Sequence, residues 1–101
     1  MSARDRLSDE EVAGRIHLLD GWTVRNGRLH RELQFESFAD AFGFMTSVAI
    51  HAQEMNHHPD WSNSYNKVVI DLMSHDVDGL SERDFELAGI IERRAATAVR
   101  S

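Results

Sequence analysis

The sequence predicts an α+β fold, a single domain in which a four-stranded antiparallel sheet carries three helices on one face. The predicted order of elements is α-β-β-α-β-β-α. Three segments repeat apolar residues at helical spacing, and each follows a serine that can cap a helix. Between them lie extended segments that alternate apolar and polar residues. Such half-apolar strands bury their apolar side most simply against helices packed on one face.

The first three elements are a helix and a β-hairpin. Ser8 and Glu11 stand at capping-box spacing, which predicts a helix over residues 9–18 that stops near Gly21. Two extended runs, residues 22–25 and 28–35, flank Asn26-Gly27. This dipeptide favours a type I′ turn, because both central residues of that turn need a positive φ.

The second helix is predicted from Ser37 to about Met55, since Pro59 interrupts the helical register soon afterwards. Its apolar stripe could line a cofactor pocket, but core packing is the favoured interpretation. The positions expected to face the core are Phe38, Ala41, Phe42, Met45, Val48, Ala49 and Ala52.

The second pair of strands and a third helix complete the fold. A short extended piece ends at Tyr65, and a strand is predicted over residues 67–74. Ser81 then begins the last helix, with Asp84 at the capping-box position, and this helix is predicted to reach about Val99. The apolar stripe of this helix is Phe85, Ala88, Ile91 and Ala95.

Composition narrows the functional classes. The 101 residues suit one domain, 1–101, and the net charge of −6 disfavours direct binding to nucleic acid or to an anionic membrane surface. No cysteine is present, which excludes disulfides, thiolate zinc sites and cysteine nucleophiles, and fits a cytoplasmic location. The N-terminus lacks the apolar region of a secretory signal, and no apolar run is long enough to span a membrane.

Three of the six histidines lie where one predicted element gives way to another. His57 and His58 follow a helix, and His75 ends a strand. Imidazole titrates near neutral pH, so these side chains could exchange protons with a substrate. They could instead bind zinc, with His51 and Glu54 as further ligands. Metal-free acid–base chemistry is favoured, because neighbouring side chains in an extended segment point to opposite sides.

The motifs around these histidines resemble those of the pterin-4a-carbinolamine dehydratases. The matching segments are Asn56-His57-His58-Pro59-Asp60-Trp61, Tyr65-Asn66, Val68-x-Ile70-x-Leu72-x-Ser74-His75 and Gly79-Leu80-Ser81-x-x-Asp84-x-x-Leu87-Ala88. His-His-Pro alone would be a weak signal, whereas all four segments at these spacings form a specific one. The predicted order of elements also matches that family's fold.

The resemblance implies an activity. Members of this family dehydrate 4a-hydroxytetrahydropterin to quinonoid dihydropterin, which can then be reduced again to tetrahydropterin. The hydroxylated pterin arises when an aromatic amino-acid hydroxylase oxidises its pterin cofactor. Pterin is therefore the expected substrate, no cofactor or metal is expected, and a functional link to such a hydroxylase follows. The resemblance also implies a homodimer or homotetramer.

The resemblance assigns residues by position. The expected catalytic residues are His57, His58 and His75. The expected substrate-binding residues are Asn56, His57, His58, Pro59, Met73, Ser74, His75 and Asp76. Supporting positions are Asp84, which pairs with the helix cap or orients a histidine, and Trp61.

One position departs from the family pattern. Many members carry an acidic residue four positions before the first histidine of the pair, where this chain has Gln53. An acidic neighbour would favour the charged form of a histidine, so the substitution bears on how this site is tuned. The alternative function is a non-catalytic protein-interaction module, because animal members of the family also act as coactivators of a transcription factor.

Overall fold

The structure is a computed structural model that describes residues 5–98. Its elements are α1 (Asp9–Ile16), β1 (Thr23–Arg25), β2 (Arg28–Gln34), α2 (Phe38–Met55), β3 (Asp60–Ser64), β4 (Lys67–Leu72), a short 3₁₀ helix (His75–Val77) and α3 (Glu82–Thr97). The predicted order of three helices and four strands is confirmed. Within residues 5–98, no helix has the length and apolarity needed to cross a membrane.

The four strands form one antiparallel sheet in the order β1-β2-β4-β3. Strands β2 and β4 are central and pair from Leu29↔Leu72 to Gln34↔Lys67. The β1–β2 turn has positive φ at both Asn26 (54°) and Gly27 (74°), which confirms the prediction from the Asn-Gly dipeptide. The register places alternate side chains of β2 and β4 on the side covered by helices.

Serine caps fix where the helices begin. The Ser8–Glu11 and Ser81–Asp84 pairs both form reciprocal capping boxes, at the starts of α1 and α3. The Ser37 hydroxyl accepts a hydrogen bond from the Asp40 amide at the start of α2. Each cap satisfies a backbone donor that has no partner inside its helix, which stabilises the fold by about 1 kcal/mol.

The core lies between the sheet and helices α2 and α3, and α1 packs against its margin through Val12 and Ile16. The prediction for α2 was partly wrong. Its buried residues are Ala41, Phe44, Val48 and Ala52. Phe44 packs on Phe35 with ring centroids 4.9 Å apart.

Phe38 and Phe42, which were predicted to face the core, are 50% and 55% exposed, and Ala49 is exposed as well. The apolar surface of α2 is wider than the stripe that the sheet covers. Helical periodicity alone therefore did not identify the side that packs inward.

Element ends also differ from the prediction. Helix α1 ends at Ile16 instead of residue 18, and β4 ends at Leu72 instead of residue 74. After β4, the Ser74 amide donates to the Gly79 carbonyl at 2.8 Å, which closes a loop. His75 thus begins a 3₁₀ turn in this loop and does not end the strand. The predicted end of the last helix, Val99, lies outside the described residues.

Candidate active site

A cavity of about 410 Å³ opens where α2, β3, the 3₁₀ turn and α3 meet. Its lining residues are Met55, Asn56, His57, His58, Pro59, Asp60, Met73, His75, Asp76 and Arg83. The three predicted catalytic histidines therefore share one cavity, although 17 positions separate His58 from His75 in the sequence.

The end of α2 directs the histidine pair. Asn56 adopts the left-handed conformation that often terminates a helix, with φ of 52° and ψ of 43°. The His57 amide still donates to the Ala52 carbonyl, so this residue remains tied to the helix end. His57 is buried and His58 is exposed.

His57 is anchored by a buried carboxylate. Its Nε2 donates to Asp84 Oδ1 at 2.6 Å, and Asp84 is completely buried. Asp84 Oδ2 accepts from the Ser74 hydroxyl at 2.8 Å and from the Ser81 amide at 2.9 Å. Because a carboxylate only accepts, the His57 proton lies on Nε2, and Nδ1 is the nitrogen that can take up a further proton. Asp84 therefore contacts both the cap of α3 and His57.

His58 is held by Gln53, the residue that departs from the family pattern. The two side chains meet at 3.0 Å, between His58 Nε2 and Gln53 Oε1. The amide oxygen accepts a hydrogen bond as a carboxylate would, but it brings no negative charge. This chain therefore orients His58 with a neutral partner.

His75 lies in a more open environment. Its side chain is 67% exposed, and its Nε2 lies 3.7 Å from Asp60 Oδ2, which also accepts from Arg28 at 2.8 Å. Asp60 begins β3 and pairs in register with Asp71 of β4. The buried His57 and the exposed His75 thus differ in solvation.

Arg83 forms the side of the cavity next to the 3₁₀ turn. Its Nη2 donates to Asp76 Oδ1 at 2.7 Å, and its Nε donates to the Ser81 hydroxyl at 3.2 Å. The sequence prediction did not include Arg83, Asp60 or Met55 among the site residues. A signal for Arg83 was present, because a cation in the first turn of a helix opposes the helix dipole.

The structure brings seven of the predicted site residues into the cavity wall, and the other three are not part of it. The seven are Asn56, His57, His58, Pro59, Met73, His75 and Asp76. Ser74 and Asp84 are completely buried and form the network behind His57. Trp61 is half-buried and packs against the core.

Metal ligands are not grouped in the part of the chain that the structure describes. Among residues 5–98, no set of three or more His, Cys, Asp or Glu side chains is arranged to hold an ion. His51 and Glu54, considered as extra ligands, lie 3.7 Å apart, and His51 contacts Arg94 at 2.7 Å. These two side chains do not line the histidine cavity.

Comparisons with known proteins agree with the fold and the motifs. The family model described as "Pterin 4 alpha carbinolamine dehydratase" matches residues 5–94. A protein of Burkholderia cenocepacia named "Putative pterin-4-alpha-carbinolamine dehydratase" is 55% identical over 95 residues, covering 92% of this chain and 93% of its own length. A protein of Solibacter usitatus with the same name is 47% identical over 91 residues, covering 90% and 96%.

A solved structure gives the same result. The crystal structure described as a transcriptional coactivator/pterin dehydratase from Brucella melitensis superposes with a TM-score of 0.87 at 36% identity. The match covers 90% of this chain and 99% of that one. The chain belongs to the pterin 4 alpha carbinolamine dehydratase family.

Proposed function

We propose that this protein dehydrates 4a-hydroxytetrahydropterin to quinonoid dihydropterin by histidine acid–base catalysis. The observation that carries the proposal is the placement of His57, His58 and His75 around one cavity, with His57 anchored by the buried Asp84. The family supports a pterin substrate, and the paired and solvent-facing imidazoles support proton transfer.

The reaction needs two proton transfers and no redox change. The C4a–O bond breaks as a proton is delivered to the leaving hydroxyl, which departs as water. The neighbouring ring nitrogen loses its proton, and its electron pair forms the new C=N bond. In our proposal His57 and His75 flank the leaving hydroxyl as acid and base, and His58 anchors the ring. General acid–base catalysis of this type contributes about 10²–10⁴-fold per group.

The test is an assay on enzymatically generated 4a-hydroxytetrahydropterin. Wild-type protein should accelerate dehydration, and His57→Ala and His75→Ala should each reduce kcat by about 10²-fold or more. His17→Ala is the matched control, because His17 is exposed and lies outside the cavity. A His75→Ala variant with unchanged kcat would remove His75 from the mechanism, and loss of activity with a chelator would favour the metal alternative.

The proposed reaction places the protein after an oxygenase. A 4a-hydroxylated pterin is the spent form of a pterin that has donated electrons in an oxygen-dependent hydroxylation, so an aromatic amino-acid hydroxylase is the proposed source of substrate. Coupled assays with such a hydroxylase should show faster pterin turnover when this protein is added. If pterin turnover is not accelerated, the proposed link to a hydroxylase is contradicted, whereas the proposed dehydration activity is not.

We also propose that the chain self-associates through the outer α2 face, defined as Phe38, Phe42, Met45 and Ala49. Phe38 and Phe42 contact each other with ring centroids 5.7 Å apart and are half exposed. A second copy is the proposed occupant, as the family resemblance implies. Light scattering should show a dimer or tetramer that Phe38→Ser/Phe42→Ser converts to monomer, whereas Tyr65→Ser, an exposed aromatic elsewhere, should not. A wild-type monomer would refute this.

A binding-only role is the second candidate, because the Brucella relative is described as a transcriptional coactivator as well as a dehydratase. This candidate predicts no turnover by wild-type protein. Turnover that disappears in His57→Ala would exclude it as the only function.

A further inference from the structure

Arg83 is a charged residue whose position is not explained by the stability of its helix. It occupies the second position of α3, after the Ser81 cap and Glu82. The N-terminal turn of a helix carries partial positive charge, so a guanidinium there is unfavourable. The side chain is nevertheless only 18% exposed, and it lines the histidine cavity.

Arg83 is fixed from behind by the network that orients His57. The Ser74 hydroxyl gives its single proton to Asp84, so the Ser81 hydroxyl must donate to Ser74, 2.6 Å away. The Ser81 oxygen is then left as an acceptor and receives both the amide and the Nε proton of Arg83. The Arg83 side chain can only donate hydrogen bonds, so it matches the Ser81 oxygen, which can only accept.

The other end of the guanidinium holds Asp76. Arg83 Nη2 donates to Asp76 Oδ1 at 2.7 Å, and the Asp76 side chain is 49% exposed at the cavity. A carboxylate has about four acceptor positions, and the hydrogen bond from Arg83 uses one of them. The pterin ring carries two adjacent donors, N3–H and the 2-amino group, which match a carboxylate.

We propose that Arg83 is a positioning residue that determines specificity, because it holds the Asp76 carboxylate where it accepts hydrogen bonds from the N3–H and 2-amino edge of the pterin. This inference rests on the proposed function, since it deepens the substrate recognition of the same cavity. Arg83 acts through Asp76 and takes no part in proton transfer.

The test compares two ligands with three proteins. The ligands are a stable dihydropterin and the corresponding dihydrolumazine, in which a carbonyl oxygen replaces the 2-amino group and would face the carboxylate. Fluorescence titration should show that wild-type protein binds the dihydropterin about tenfold or more tightly than the dihydrolumazine. Arg83→Gln should lose this discrimination by weakening dihydropterin binding alone, and Arg83→Lys should be intermediate because it keeps the charge without the planar fork.

Controls separate positioning from folding. Arg93→Gln removes the same charge from an exposed position on the same helix, away from the cavity, and should keep wild-type discrimination. In the double variant Arg83→Gln/Asp76→Asn, the loss of affinity for the dihydropterin should be no greater than in either single variant, because the two substitutions disrupt the same interaction with the ligand. If Arg83→Gln is too unstable to measure, Arg83→Lys carries the same comparison.

Two results would overturn the inference. The first is that folded Arg83→Gln still binds the dihydropterin more tightly than the dihydrolumazine, or loses affinity for both equally. Either outcome would show that Arg83 does not position the Asp76 carboxylate for substrate recognition. Wild-type protein that binds neither ligand would instead overturn the proposed function, and this inference with it.

Discussion

Replacing Asp84 with asparagine should reveal how strongly the buried carboxylate supports His57. Asp84 accepts three hydrogen bonds and is completely buried: one from His57 on Oδ1, and two from Ser74 and Ser81 on Oδ2. An amide has one acceptor oxygen and one donor group. It keeps the most hydrogen bonds by turning its oxygen towards Ser74 and Ser81, which leaves its NH₂ facing His57.

The consequence for His57 is a change of tautomer. Facing a donor, Nε2 must become the acceptor, and the proton moves to Nδ1, the nitrogen that takes up a proton in the wild-type arrangement. The acid–base role that we propose for His57 is then lost, and kcat should fall by about 10²–10⁴-fold. All three hydrogen bonds then join neutral groups instead of a carboxylate, and their weakening should lower the free energy of unfolding by about 1.5–3 kcal/mol. For a chain of this length that corresponds to roughly 7–14 °C in unfolding temperature.

The assay measures both quantities on the same preparation. Dehydration rates are followed by stopped flow well below the unfolding midpoint of the variant, and stability is taken from urea titration. Ser8→Ala is the control, because it removes the capping hydrogen bond of α1 at a cost of about 1 kcal/mol and lies outside the cavity. Asp84→Asn protein that is folded and has wild-type kcat would refute the reasoning about tautomers.

Three further predictions concern stability. The hydrogen bond to Glu32, and then that to Asp71, raise the pKa of His30 above its ordinary value of 6.5. The stability that this raised pKa provides is complete below about pH 6.5 and is lost as the pH rises through the folded-state pKa. The difference in urea midpoint between wild type and His30→Gln should therefore narrow at alkaline pH. A difference that does not change with pH would contradict this prediction. Glu92→Ala should lower the free energy of unfolding by about 2–3 kcal/mol in urea titrations, because Glu92 Oε1 accepts hydrogen bonds from Trp22 at 2.7 Å and Arg31 at 2.8 Å. Glu86→Ala, at an exposed position of the same helix, should lower it little. Equal effects of the two substitutions would argue against a stabilising role of these hydrogen bonds. Gly21→Ala should lower the unfolding temperature more than Gly27→Ala. Both glycines have positive φ, but of the two only Gly21 would bring a Cβ against another side chain, 2.3 Å from Arg31 Nη1. The reverse order of the two unfolding temperatures would refute this.

Local signals predicted the elements well. The Asn26-Gly27 turn and the caps at Ser8 and Ser81 depend on residues close in sequence, and all three formed as predicted. Caps and tight turns are decided by the conformational preferences of a few neighbouring residues, so they can be read without knowing the rest of the fold. The motif around His57, His58 and His75 likewise identified the family, because residue types at fixed spacings are a property of the sequence alone.

The inward face of α2 could not be predicted in the same way. Phe38, Phe42 and Phe44 are all apolar, and helical periodicity permits more than one buried face. In the folded chain Phe44 packs on Phe35, whereas Phe38 and Phe42 remain exposed. That choice depends on packing between segments, which the periodicity of one helix does not contain.

For the site, the sequence by itself supplied the three histidines, Asp84 and the family, whereas the tertiary structure decided how these residues work together. Only the folded chain shows that Asp84 meets His57 across 27 positions, that Gln53 holds His58, and that Arg83 joins Asp76 to the network behind His57. Hydrogen bonds extend over about 3 Å, and folding brings together residues that are far apart in the chain. Partners of this kind are therefore fixed by the tertiary arrangement, while the residue types that can form them are already present in the sequence.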